Sequence, residues 1–294
     1  LVTLFDFPGR GVFEWLLLLP LAMPAYVVAY AYTDFLQFSG PLQMGLRELL
    51  GLQGRLWPDV RSVWGAALVF TLALYPYVYL LARTALVERA SGLMEAARLL
   101  GAPLSRRIRE IALPLARPAV AAGVALALME TLADFGVSSY FGIQTFTAGI
   151  YKAWLSMDNR IAAAQLATVL LAVVVVLLQL EQRAQKRMRF NQGRGSRQGS
   201  AEAQPVALQG VHRVMAWGVC SIPVLLGFAL PVLIMLRALM AETTDVPWER
   251  FGQWALTSLR LGAVTALLAV GVALALAFSV RTRADRISQG AIQL

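Results

Sequence analysis

The stretch ERASGLMEAARLLGAPLSRRIREIALPLARP, residues 88–118, decides how the rest of the chain is read. It is polar and arginine-rich, yet it lies between two strongly apolar segments. From Gly92 to Leu100 the residues Leu93, Ala96, Ala97 and Leu100 recur at helical spacing, which predicts a short helix with one apolar face. Gly101 and Pro103 end it, because glycine accepts left-handed dihedrals at a helix terminus and proline cannot continue a helix. A second short helix is predicted over residues 104–113, carrying Arg106, Arg107 and Arg109, with Pro114 closing it. Two short amphipathic helices joined at a glycine make a compact knob suited to a partner's groove.

The surroundings of this knob are membrane-like. Of the 294 residues, 58% are hydrophobic and only 15% charged, and the mean hydropathy is +0.63. A chain this apolar is expected to be an all-α, polytopic helical bundle in a membrane. Six segments of about twenty residues are long enough to cross a bilayer: residues 12–33, 62–82, 119–136, 161–180, 214–240 and 257–280. The first and fifth carry prolines (Pro20, Pro24, Pro223, Pro231), which membrane helices tolerate when neighbours satisfy the freed backbone groups.

Charge tests that partition. Residues 1–11, 83–118, 181–213 and 281–290 hold 18 Lys and Arg, whereas the alternate loops 34–61, 137–160 and 241–256 hold 6. Positive charge is retained on the cytoplasmic side, so the first set, with the knob, is predicted to be cytoplasmic. The net charge of +9 therefore reads as membrane orientation rather than as nucleic-acid binding. No aromatic platform or nucleic-acid motif accompanies Lys186, Arg187 and Arg189, which are placed to meet anionic lipid headgroups. The single cysteine, Cys220, and the single histidine, His212, form no metal or catalytic motif, and no metal site is assigned.

Glu95-Ala96-Ala97, then Gly101, then Ile111, Leu113 and Pro114 follow the spacing of a known loop. The pattern resembles the EAA loop of binding-protein-dependent ABC importer permeases, and all seven positions match. The resemblance implies a type I importer permease fold in a bacterial inner membrane. It implies that the loop docks on a cytoplasmic ABC ATPase dimer, with Glu95 contacting it and Gly101 setting the turn. A periplasmic substrate-binding protein would deliver solute to the opposite side. ATP and Mg would be bound by the ATPase, leaving no cofactor and no enzyme activity in this chain; no G-x-x-x-x-G-K-[ST] stretch occurs.

Residues 181–210 are basic and then rich in Gly, Ser and Gln, which reads as a linker between two tandem halves. The expected organisation is a first permease half over 1–181, a cytoplasmic linker over 182–210 and the start of a second half over 211–294. The chain starts at Leu1 and ends where apolar sequence resumes, so it is expected to be an internal piece. A second EAA-type loop would then follow residue 294.

Further motifs address the solute. Glu130-Thr-Leu-Ala-Asp-Phe-Gly136, Thr145-Phe-Thr-Ala-Gly-Ile-Tyr151, Phe7-Pro-Gly-Arg10, Leu19-Pro-Leu-Ala-Met-Pro24 and Tyr75-Pro-Tyr-Val-Tyr79 resemble the fused ferric iron ABC permeases. Permeases for thiamine, aminoethylphosphonate, sulfate or polyamines share parts of them. Glu130 and Asp134, four residues apart, share a helix face within an apolar span, where ionisable groups mark a pathway or a partnered site. With Tyr140, Thr145, Thr147 and Tyr151 they form an oxygen-rich candidate pathway suited to a hard cation such as Fe(III). The rival reading is an ion-coupled secondary transporter with a broken helix at Pro20 and Pro24, which leaves the EAA pattern unexplained.

Overall fold

The computed structural model describes residues 1–87, 91–189, 206–241 and 247–282. The chain opens with a two-residue strand β1 (Phe5–Asp6), α1 (Arg10–Leu16), a 3-10 turn (Leu19–Ala22) and α2 (Ala25–Leu36). It continues with α3 (Pro41–Leu50), α4 (Val63–Ala85), α5 (Ser91–Leu99), α6 (Leu104–Arg107) and α7 (Leu113–Ala133). Then come α8 (Gly136–Phe141), α9 (Phe146–Tyr151), α10 (Arg160–Arg189), β2 (Val206–Ala207), α11 (Val211–Val224), α12 (Leu230–Ala241) and α13 (Trp248–Thr282). Among the described residues, five helical spans are long and apolar enough to cross a membrane, and one bent pair makes a sixth. The all-α, polytopic architecture expected from composition is the one observed.

Prolines account for the departures from the expected spans. The predicted first span, 12–33, is broken: α1 with its 3-10 turn meets the α2–α3 segment at 88°. Pro20 and Pro24 remove two N–H groups one turn apart, and Met23, preceding Pro24, is pushed to extended backbone (φ −108°, ψ 124°). The second helix of the knob does not close at Pro114 either. Leu104 to Ala133 is one continuous helical span of 30 residues. A π turn over Ile108–Ala112 widens the helix just before the proline, with Leu113 N–H donating to the Ile108 carbonyl. That register leaves Arg109, an exposed residue, as the carbonyl facing Pro114, so no buried acceptor is stranded.

The same device recurs between α11 and α12. A π turn over Leu225–Ala229 precedes Pro231, and Leu230 N–H donates to the Leu225 carbonyl. The next carbonyl, Leu226, has no N–H to receive at position 231; the Tyr32 hydroxyl donates to it instead, at 2.6 Å.

Two units are distinguished, Leu1–Ala238 and Leu239–Leu294. Helix α11 belongs with the N-terminal segment because each covers the other's apolar face: Val2, Phe7, Phe13 and Leu17 bury against Ala216, Cys220 and Val224. The Trp217 indole donates to the Pro8 carbonyl at 2.8 Å, and β1 pairs in parallel with β2. Helix α10 runs to Arg189, into the stretch expected to be the linker, and residues 190–205 lie outside the described residues. In the second unit, α13 is apolar over Trp248–Ala275, and none of that stretch is buried among the described residues.

Within the larger unit, α4 is the central post. At one end, Ala66 and Val69 pack with Val28, Ala29 and Tyr32 of α2 and Val137 and Phe141 of α8. Against its middle lies α7, close enough that a Cβ on Gly123 would stand 2.5 Å from the Val78 Cα. Gly227 makes the matching approach from the other side: its Cβ would stand 2.8 Å from the Leu72 carbonyl, which Pro76 leaves without its helical donor. Gly123→Ala should therefore destabilise the detergent-solubilised protein by about 1–3 kcal/mol, read as a lower thermal midpoint. Gly218→Ala, at a helical position with open space around its Cα, should leave the midpoint unchanged or raise it.

Candidate functional site

The knob is built on one buried methionine. Met94 of α5 is 6% exposed and packs with Ala112, Leu4, Leu86, Ile111 and Leu115. Much of the apolar face predicted to carry Leu93, Ala96, Ala97 and Leu100 is turned outward. Leu93 is 53% exposed, Leu99 82% and Leu100 88%. The helix ends in two cap hydrogen bonds, Ala102 N–H to the Ala97 carbonyl and Gly101 N–H to the Arg98 carbonyl, both 3.0 Å. Such a cap requires a left-handed residue, and Gly101 supplies it at φ +77°. Pro103 then starts α6.

The seven motif positions thus fall into distinct places. Ala97 and Gly101 make the cap, and Ile111 packs under Met94. Ala96 is exposed beside Leu99 and Leu100, Leu113 is exposed, and Pro114 follows the π turn. Glu95 sits 3.8 Å from Arg98 on the same exposed surface. A pair this open to water contributes little to stability, so the Glu95 carboxylate remains available for another partner.

The six candidate pathway residues gather around the turn from α7 into α8 and α9, and five of them have structural contacts there. Asp134 ends α7 and accepts hydrogen bonds from the Val137 and Ser138 N–H groups at 2.9 and 3.2 Å, capping α8. Thr145 caps α9 by accepting from Ala148 N–H at 3.2 Å. Thr147 is buried and donates to the Leu132 carbonyl at 2.6 Å, tying α9 to the end of α7. Tyr151 lies on Phe135 with ring centroids 4.3 Å apart. Tyr140 lies beneath the Arg61 guanidinium, whose Nη2 donates to its hydroxyl at 3.3 Å.

Glu130 differs from these five. It is exposed on α7, one turn before Asp134, and the Tyr77 hydroxyl of α4 lies beside it. Among the described residues no group of three His, Cys, Asp or Glu side chains is close enough to hold a metal ion, so Glu130 and Asp134 do not form a closed chelating site. Cys220 is buried as a free thiol and His212 is exposed at the start of α11. Removing the cap with Asp134→Ala should cost about 0.5–2 kcal/mol of stability, whereas Asp134→Asn keeps an acceptor oxygen and should cost less. Thermal midpoints of the two variants in detergent check this.

Sequence reasoning missed an ion pair. The Glu14 carboxylate of α1 lies 2.7 Å from the Arg83 guanidinium at the end of α4 and 3.5 Å from Arg10. The signal was present: Glu14 is an acid inside the apolar stretch 12–33, where an unpaired charge is costly.

With this geometry in view, similarity to known proteins bears on the chain. Residues 3–190 match the family described as "Binding-protein-dependent transport system inner membrane component". The chain is 26% identical over 178 residues to the Fe(3+)-transport system permease protein FbpB 2 of Haemophilus influenzae, covering 60% of this chain and 31% of that one. It is 31% identical over 173 residues to a probable molybdenum ABC transporter permease of Haloferax volcanii, covering 58% and 60%. It is 28% identical over 181 residues to the molybdenum transport system permease ModB of Escherichia coli K12, covering 58% and 76%. The chain thus spans less than two thirds of the length of the first two of these relatives. The match over residues 3–190 takes in the capped knob, the span that follows it and α10, and by it the chain belongs to the binding-protein-dependent transport system inner membrane components, the permease family of ABC importers.

Proposed function

We propose that this chain forms part of the solute pathway of an ATP-driven importer in a bacterial inner membrane. The observation that carries the reading is the outward apolar surface of α5, with Leu93, Leu99 and Leu100 exposed beside Glu95 and held by the Gly101 cap. Leucines this exposed on a polar loop are costly in water and gain by docking into an apolar cleft. The occupant is a cytoplasmic ABC ATPase dimer, which binds ATP and Mg and performs the hydrolysis. The excess of basic residues on the knob side supports a cytoplasmic location. On the other side, a periplasmic binding protein docks and releases solute, and alternating access carries it inward.

Ferric iron is the solute this reading favours. Glu130 is an exposed carboxylate on α7, and a fixed negative charge attracts a hard cation while repelling an oxyanion. The relative named for Fe(3+) transport points the same way. A second reading, molybdate, is favoured by the molybdenum permease at 31% identity.

Two measurements test these statements. Leu99→Ala with Leu100→Ala should weaken ATPase co-purification by roughly thirtyfold, equivalent to about 2 kcal/mol of lost apolar burial, while membrane insertion persists. Unchanged co-purification would remove the docking role. In proteoliposomes with the ATPase and binding protein, ATP-dependent uptake of radiolabelled Fe(III) should exceed that of molybdate, sulfate, aminoethylphosphonate, thiamine and a polyamine. Glu130→Gln should lower iron uptake without weakening ATPase binding. Molybdate uptake in place of iron would overturn the ferric reading and keep the importer.

A further inference from the structure

Glu14 is used by neither the dock nor the solute pathway, yet α4 grips it at two successive turns. Its carboxylate meets Arg83 at 2.7 Å, and its main-chain carbonyl accepts from the Tyr79 hydroxyl at 3.4 Å. Tyr79 and Arg83 are four residues apart and so share one face of α4. The Glu14 and Arg83 side chains are only 23% and 30% exposed, which screens the pair less than a surface pair. The Arg83 Nε is itself buried with no partner among the described residues. Removing Glu14 would strand the Arg83 charge in a partly dry site, whereas removing Arg83 leaves Glu14 with Arg10 at 3.5 Å.

The location gives the pair its significance. Arg83 stands in the last turn of α4, immediately before the chain leaves for the knob. Glu14 stands in the first arm of the helix that breaks by 88° at Pro20 and Pro24. The same N-terminal segment touches the knob itself, where Leu4 packs on the cluster of Met94 and Ala112. The broken helix is therefore fastened both where α4 ends and at the base of α5.

We propose that Glu14 and Arg83 are positioning residues for transport: their ion pair ties the broken first helix to the end of α4, where the chain leaves for the knob, so that motion of the knob reaches the bend at Pro20 and Pro24. This rests on the reading of the knob as the ATPase dock. The pair stays closed through the cycle and acts as a strut rather than a latch.

The test uses the permease reconstituted with its ATPase and binding protein, reading solute moved per ATP hydrolysed. Glu14→Gln and Arg83→Gln should retain ATPase co-purification and hydrolysis while that ratio falls about fivefold or more. Arg83→Lys, which keeps the charge, should hold the ratio near wild type. In a Cys220→Ser background, Glu14→Cys with Arg83→Cys should show the same low ratio, and tethering the two thiols with a short bis-maleimide should restore it. The tethered pair also decides the matter if Glu14→Gln fails to assemble. An unchanged ratio in both Gln variants overturns the tie, as does a tether that blocks uptake, since a strut tolerates being made covalent and a latch does not. Normal ATPase binding by the Leu99→Ala, Leu100→Ala permease would overturn the dock, and the tie with it. Intact docking with unaltered coupling in the Gln variants overturns the tie alone.

Discussion

The close crossing of α4 and α7 at Gly123 is the contact on which the larger unit depends. Lipid tails are as apolar as leucine, so helices in a membrane gain little from hiding apolar side chains from lipid; they gain from close backbone approach. Gly123 brings α7 onto the Val78 backbone, and nothing larger fits there. Once that crossing is set, α4 can serve as a post with a partner at each level. Helix α8 covers its first turns, the π turn at Gly227 meets the Leu72 carbonyl midway, and α1 holds its last turns through Tyr79 and Arg83.

Backbone groups freed by proline are the second constraint, and the structure answers several of them locally. Pro76 exposes the Leu72 carbonyl, which the Gly227 backbone approaches. Pro231 leaves the Leu226 carbonyl open, and the Tyr32 hydroxyl fills it. Pro114 is preceded by a π turn in the knob, which shifts the helical register ahead of it. At Pro20 and Pro24 the helix gives way with an 88° bend, whereas Pro114 and Pro118, also four residues apart, are carried through one continuous span. Under the proposed tie between α1 and α4, movement of α1 would change the angle at that bend.

The knob and the turn beyond α7 were legible in the sequence to different depths. For the knob, spacing was enough to foresee α5 and its glycine stop, since both are local: a helix of nine residues and a left-handed cap are settled by neighbours in the chain. The direction of its apolar face was not local. Met94 turns inward because Ala112 and Leu4, distant in sequence, leave a space for it. Around α8 and α9, Asp134, Thr145 and Thr147 stood out as oxygen-bearing residues, but oxygen atoms serve equally as caps and as ligands. Their partners are main-chain N–H and carbonyl groups of nearby turns, which residue identity does not display. Glu14 was hidden for the converse reason: its partner, Arg83, is 69 residues away.

What the sequence alone determined is what composition and short-range order control: an all-α membrane chain, its apolar spans, its basic side and a capped loop of seven spaced positions. Hydrophobic length and turn chemistry act over a few residues, so they can be read in order along the chain. The tertiary structure decided which prolines break a helix and which are carried through it, because that depends on whether a hydroxyl, a glycine backbone or a π turn can take up the freed groups. It also decided that α11 belongs with the N-terminal segment, since Phe13 and Leu17 share one buried cluster with Ala216, Cys220 and Val224. Pairings of that kind are set by burial across long sequence separations, and no local pattern encodes them.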